Sequence, residues 1–401
     1  MGVFNPQEDY VQSNVINQPS SLKHKAADYR RALNALRGFA SIYVVFYHLR
    51  LYSNFDWFGT IPIIRFGYIG VDFFFILSGL IVSHVYLKAS RNSDVSFWQK
   101  FIWYRLARLL PVHVFIMVSM LLVASTLPFF DSSRNTLTTT NLTDWVSLTF
   151  LVRQWGMPEN YAWNSPAWSV SAEFFAYIIV FPIIAFLCAK RLTLNVGITL
   201  TAIGVTILGL LISMTGTVNV IPYAGPLMRV TGGFIIGSGL FIILETAPKL
   251  KTPPRDWDGK LFISLCLLPL MFWVAMLLKS KGVTADPLLL CGFTGITVLA
   301  YLAKGKTAAF LSKPVLFWLG EISFGLYMCH IPVFRVCKYI ALHFDLNLGF
   351  AFGIICVLIS MLVAYLLYHY LETPMRLYMR ARYLDYSRYK ENKALETPKP
   401  Y

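Results

Sequence analysis

The sequence predicts an all-α protein, a polytopic membrane bundle of about ten transmembrane helices. Three observations predict it. Hydrophobic residues make up 56% of the 401-residue chain and charged residues only 14%, against roughly 45–50% and 25% in soluble domains. Apolar runs of about twenty residues, the length that crosses a bilayer, recur along the chain with short polar breaks between them. Lys and Arg, 35 in number against 20 Asp and Glu for a formal charge of +15, gather in alternate breaks, as the positive-inside rule requires. A soluble enzyme of this size could not cover its surface with so few polar residues. Collagen, coiled-coil and disordered chains are excluded on the same composition.

The spans fall near residues 33–52, 67–87, 109–129, 168–189, 194–214, 227–244, 261–278, 287–303, part of 314–341, and 348–370. Residues 1–32 form an N-terminal tail that ends in Lys23, Lys25, Arg30 and Arg31, residues 33–371 the membrane domain, and residues 372–401 a basic C-terminal tail. Between the second and third spans, Lys88 to Arg108 interleaves bases with aromatics and reads as an interfacial helix. An even span count puts both termini on one side, and the basic breaks make that side the cytoplasm of a multi-pass cell-membrane protein. The first thirty residues lack an apolar signal-peptide core, so the first span serves as the insertion signal. Positive charge here is topological, and no nucleic-acid partner is expected. The six cysteines lie in or beside apolar segments without metal-ligand or disulfide spacing, so they read as small core residues and no metal is expected. The triplet Asn141, Leu142, Thr143 matches a glycosylation acceptor, a pattern that occurs by chance in a chain this long.

An ionisable side chain inside a span costs about 2.5–3.5 kcal/mol at the helix centre on insertion scales, so each needs a partner or a task. Arg37 and His48 lie eleven residues apart on one stripe of the first span, about 16 Å along its axis. Arg37 suits a phosphate or carboxylate arriving from the cytoplasm, and His48, deeper, suits proton exchange. In the second span Asp72 precedes an aromatic run and the pair Ser78 and Gly79, which read as a close-packing point. Substrate binding and structural pairing are both open for Asp72. At the start of the fourth span Ser169 and Glu173 share a helix face, and Trp168 offers a flat surface at a pocket mouth. Glu173 fits a general base or an orienter of His48. Farther on, Glu321, Gly325 and Cys329 lie on one face, His330 follows, and Pro332 is expected to kink the helix after it. Gly232, Gly233, Gly237 and Gly239, near Arg229, read as helix packing. The P-loop, the GxSxG elbow, HExxH and paired CxxC are all missing.

In order and spacing these stretches resemble the acyltransferase-3 family of integral membrane acyltransferases. The resemblance runs from about Arg31 to Arg376 and is carried by RALNALRGFASIYVVFYHLR (31–50), GVDFFFILSGLIV (70–82), RLARLLP (105–111), PAWSVSAEFFAY (166–177), ISFGLYMCHIPV (322–333) and HYLETPMR (369–376). It implies an O-acetyltransferase that takes an acyl group from acetyl-CoA or another acyl-CoA on the cytoplasmic side. The acceptor would be a hydroxyl of a carbohydrate or other exported molecule. The family's Arg and His of the first span fall on Arg37 and His48, its Glu on Glu173, and its RxxR pair on Arg105 and Arg108. A sugar hydroxyl needs a base to become a nucleophile, which makes His48 the candidate base, alone or through a covalent acyl intermediate. Arg37, Arg105 and Arg108 would bind the phosphates of coenzyme A. Asp72, Trp168, Ser169 and His330 are candidates for holding the acceptor. The chain ends about thirty residues after the last span, so the hydrolase-like domain of fused relatives is not expected. A homo-oligomer is compatible with this reading. A transporter without covalent chemistry, or a subunit of a polysaccharide-synthesis complex, also fits buried charges and broken helices.

Overall fold

The computed structural model describes residues 20–52, 61–126, 142–156, 164–220, 224–247, 250, 256–346 and 349–396. Every regular element among them is helical. The principal helices are α1 (Ser20–Leu49), α2 (Ile69–Tyr86), α3 (Val95–Thr126), α4 (Ala167–Leu187), α5 (Leu194–Thr215), α6 (Gly225–Thr246), α7 (Trp257–Cys266), α8 (Leu268–Ser280), α9 (Asp286–Leu302), α10 (Pro314–Glu321), α11 (Ser323–His343), α12 (Phe350–Leu367) and α13 (Thr373–Glu396). Residues 20–32, expected in the N-terminal tail, are the first turns of α1. Residues 1–19 and Asn141 lie outside the described residues.

Six of the described helices are long and apolar enough to cross a membrane, and the number rises to eight if each bent pair is one span. The expected ten also included α1 and α9. Asn34, Arg37 and His48 dilute the apolar character of α1, and α9 has only 17 residues. The outward surface is that of a protein surrounded by lipid: Phe186, Val205, Leu210, Trp273 and Leu358 are each more than half exposed.

Helix α6 packs between α2 and α5 at distances that only glycine permits. A Cβ on Gly237 would lie 1.9 Å from the Ile76 carbonyl oxygen, and one on Gly204 would lie 2.7 Å from that of Gly232. The packing role expected of the glycine cluster is therefore met. The same holds for Gly79, whose Cβ would meet the Phe234 carbonyl at 2.1 Å. Its neighbour Ser78 does something else, described below.

Two expectations about helix breaks are corrected. The basic stretch before the third span is not a separate interfacial helix. After a short 3-10 turn, α3 runs unbroken for 32 residues through Pro111, about 48 Å, so its basic first part continues past a hydrocarbon core of about 30 Å. The sharp bend near His330 is not at Pro332 either. It is a 61° break between α10 and α11, while α11 continues through Pro332. Proline deprives the carbonyl four residues earlier of its helical donor, and Asn164 Nδ2 donates to that carbonyl, Met328, at 2.8 Å. The break at Ile322 is held by Ser41 Oγ, which donates to the Ser323 carbonyl at 2.9 Å. Gly320 there lies so close to α1 that a Cβ would be 2.0 Å from the Asn34 carbonyl.

Among the described residues two stretches of π-helix interrupt the bundle, Ala176–Val180 inside α4 and Tyr368–Glu372 between α12 and α13. Such turns are often found at functional sites.

Candidate active site

A cavity of about 330 Å³ opens among α1, α2, α3, α4, the α10–α11 break and the α12–α13 junction. Helix α1 contributes Asn34 and Arg37, α3 contributes Arg105 and Arg108, and the last π turn and α13 contribute Glu372, Arg376 and Arg380. Five arginines thus meet three carboxylates, Glu173, Glu321 and Glu372. The break after Glu321 aims that side chain at α1. Asn34 Nδ2 donates to Glu321 Oε1 at 2.9 Å and Tyr368 donates to Oε2 at 2.8 Å. Arg37 Nη1 donates to Asn34 Oδ1 at 3.1 Å. Glu321 therefore fixes Asn34 and, through it, Arg37, and does not share a face with Gly325 and Cys329, which pack on α12.

Arg105 donates to the Tyr86 hydroxyl at 3.0 Å, and its guanidinium lies over the rings of Tyr86, Phe101 and Tyr177. Arg376 faces Glu372 at 3.7 Å. Three buried polar atoms of this set, Arg105 Nε, Arg380 Nε and Glu372 Oε2, have no hydrogen-bond partner among the described residues.

Beside Arg105, Glu173 and Tyr177 of α4 meet Ser78 of α2. Ser78 Oγ donates to Glu173 Oε1 at 2.8 Å, and the Tyr177 hydroxyl donates to the same oxygen at 2.5 Å. Ser78 therefore belongs to the polar wall, a correction to its expected packing role. Ser169 and Tyr327, whose hydroxyls lie 2.7 Å apart, also line the cavity.

His48 and His330 do not line the cavity, but the His330 ring lies 6.0 Å from that of Tyr327, which does. They face each other, His330 Nε2 lying 3.1 Å from His48 Nδ1. His330 Nδ1 sits 3.2 Å from the Leu326 carbonyl, which can only accept, so Nδ1 carries the proton and Nε2 is the acceptor. His48 Nδ1 then carries the hydrogen toward Val44 O or His330. That leaves His48 Nε2 with the free lone pair of a base.

Of the site residues expected from sequence, Arg37, Arg105, Arg108, Glu173 and Ser169 share the cavity, while His48 and His330 form the separate pair. Glu173 accepts from Ser78 and Tyr177, and no hydrogen bond joins it to His48, so it does not orient that imidazole. Asp72 is in a structural ion pair: Arg229 Nε and Nη2 donate to its two oxygens at 2.7 and 2.6 Å, with both side chains essentially unexposed. Trp168 covers the Arg229 guanidinium at 5.1 Å and is not at a pocket mouth. Neither Asp72 nor Trp168 lines the cavity. Sequence reasoning missed Ser78, Tyr177, Tyr327, Glu372, Arg376 and Arg380. Glu372 and Arg376 carried a signal, an acid and a base four apart at the end of an apolar run.

With this geometry in place, comparison with known proteins is decisive for the family. The acyltransferase-3 profile, described as an acyltransferase domain, matches residues 30–369. The chain belongs to the acyltransferase-3 family. It is similar to the O-acetyltransferase OatA of Staphylococcus aureus (strain NCTC 8325 / PS 47), at 24% identity over 385 residues, 87% of this chain and 57% of that protein. It is also similar to the putative O-acetyltransferase SAS0844 of Staphylococcus aureus (strain MSSA476), at 24% identity over 384 residues, 88% of this chain and 58% of that protein. The chain thus spans under two thirds of the length of the curated relatives it matches. No solved structure matches it. As an acyltransferase-3 protein with several candidate spans it is a multi-pass membrane protein.

Proposed function

We propose that this protein is a membrane O-acetyltransferase that draws an acyl group from acyl-CoA, acetyl-CoA in the first instance, and passes it to a hydroxyl of a carbohydrate or similar exported acceptor. What carries the reading is the cavity: five arginines line it, two of them with an Nε that has no hydrogen-bond partner among the described residues, which suits a ligand with several phosphates, and arginine is the side chain that binds phosphate in bidentate fashion. The family membership and the names of the relatives support acyl transfer to oxygen.

In this reading the arginine end of the bundle faces the cytoplasm, both termini lie there, and coenzyme A enters between α3 and α13. Arg37, Arg105 and Arg108 hold phosphates and Arg376 and Arg380 reinforce them. The thioester then lies toward Glu173. On the far side of Tyr327 the His48 and His330 pair receives the acceptor, with His48 Nε2 as the base for its hydroxyl. The test is purified full-length protein in nanodiscs with acetyl-labelled acetyl-CoA and extracts of surface glycans. Release of free coenzyme A with label appearing on glycan is the expected result. Passage of unmodified solute across the bilayer with no coenzyme A released would refute the reading and make the protein a transporter.

A further inference from the structure

His48, the base suggested by the sequence, does not line the cavity. It stands about 16 Å beyond Arg37 along α1, against His330, whose ring lies 6.0 Å from that of Tyr327 on the cavity wall. On the cavity's own wall stands a different set. Ser78 Oγ donates to Glu173 Oε1 at 2.8 Å, and Tyr177, from the π turn of α4, donates to the same oxygen at 2.5 Å. The other carboxylate oxygen, Oε2, accepts nothing among the described residues. A hydroxyl nucleophile bonded to a base, with the base held by a third group, is the arrangement that covalent catalysis needs. Arg105 supplies positive charge beside it, its guanidinium 5.4 Å from the Tyr177 ring centroid.

We propose that Ser78 is the nucleophile of a two-stage reaction and that the cavity forms an O-acyl-Ser78 enzyme with Glu173 as its base. This rests on the acyl-CoA reading of the cavity. Glu173 takes the Ser78 proton as Oγ attacks the thioester carbon. The new C–O bond forms, the C–S bond breaks, and the departing thiolate takes the proton back from Glu173. Free coenzyme A leaves, the carboxylate is restored, and no electrons are exchanged beyond these bonds. In the second stage the acceptor hydroxyl gives its proton to His48 as its oxygen attacks the acyl carbon; the new C–O bond forms, the C–O bond to Ser78 breaks, Ser78 Oγ takes a proton from cavity water through Glu173, and His48 gives its proton to the hydroxide so formed, which restores both groups. Ser78 is chosen over Tyr177 because its side chain is half-buried on the cavity wall, whereas Tyr177 is 4% exposed and covered by Arg105. The two stages explain why one site holds a carboxylate and a distinct site holds a histidine pair.

The experiment is label exchange without acceptor. Full-length protein in nanodiscs receives unlabelled acetyl-CoA and radiolabelled coenzyme A, and label entering acetyl-CoA is counted. An acyl-enzyme predicts exchange by the wild type, a loss of at least about 100-fold in Ser78→Ala, and a loss of about 10²–10⁴-fold in Glu173→Gln, the usual worth of a general base. Acid-quenched wild type should carry one acetyl group on the peptide containing Ser78. Ser78→Cys should carry it as a hydroxylamine-labile thioester, which guards against misfolding of the alanine variant. Full exchange by Ser78→Ala, acetyl found on Tyr177 or His48, or complete transfer to acceptor by a wild type that never exchanges would each overturn the proposal. A wild type that binds no acetyl-CoA at all would overturn the donor reading itself, and the proposal with it.

Discussion

Asp72 and Arg229 separate a structural from a substrate-binding role in one experiment. Arg229 is fully buried and Asp72 is 1% exposed. Two N–H···O bonds of 2.7 and 2.6 Å join them, and Arg229 Nη2 also donates to the Tyr68 carbonyl at 2.8 Å. No solvent screens either charge, so Asp72→Ala strands a guanidinium in the interior, at a cost of about 3–5 kcal/mol. At about 1.4 kcal/mol per tenfold, the folding equilibrium falls by roughly two to three and a half powers of ten. Replacing both ions with apolar side chains removes the uncompensated charge and is often neutral. Asp72→Val with Arg229→Met should therefore recover most of the lost stability, the methionine sulfur still touching Trp168 and the Tyr68 carbonyl keeping its bond from Val71 N. Thermal unfolding in detergent by tryptophan fluorescence and coenzyme A release with acceptor are measured on the same preparations. A double variant as stable as wild type but catalytically dead would refute the structural assignment and return Asp72 to the substrate site. A single variant that melts with the wild type would show the pair to be worth nothing.

Further outcomes follow from the same geometry. His48→Ala should lower acyl transfer by about 10²–10⁴-fold with an unchanged melting temperature, checked by coenzyme A release in the presence of acceptor. Arg105→Ala and Arg108→Ala should each weaken coenzyme A binding by about 1.5–3 kcal/mol and leave pantetheine binding nearly intact; equal losses in calorimetry would indicate general damage to α3. Gly237→Val must push α6 off the Ile76 carbonyl, now 1.9 Å from where its Cβ would sit, and should lose about 1–3 kcal/mol or more of stability. Asn164→Ala leaves the Met328 carbonyl without its donor and should cost about 1–3 kcal/mol, read as a lowered melting temperature.

The features legible in the sequence are those written in composition and local spacing. The all-helical membrane fold, the glycine seam of α6 and the arginines of α3 follow from hydropathy, small-residue clusters and charge. Asp72 was legible as a residue needing a partner, but Arg229 lies 157 positions away, and no local rule pairs them. The break at Ile322 was hidden for a related reason. Pro332 is the visible breaker, yet a side chain from a distant loop neutralises its effect, whereas Gly320 and Ser323 bend the chain through contacts with α1. Ser78 looked like packing because Gly79 beside it is packing. Adjacent helix residues point about 100° apart, and only the placement of α4 decides which of the two meets a carboxylate. The structure supports six to eight candidate spans among the described residues rather than the expected ten, because Asn34, Arg37 and His48 make α1 a poor transmembrane segment by composition and α9 is short.

The π turn at Tyr368–Glu372 makes chain length itself part of the site. Relative to an α-helix such a turn holds one additional residue, so everything after it is rotated by about 100°. Glu372, Arg376 and Arg380 line the cavity in the register the turn sets, while Met375 and Tyr378 on the same stretch are exposed. Deleting Leu371 would change no cavity side chain, yet a regularised helix would carry all three charged groups round toward the lipid. A one-residue deletion at this point should therefore be more damaging than most substitutions at the residues it displaces, and alignments of relatives that place a gap here would misjudge which arginines correspond.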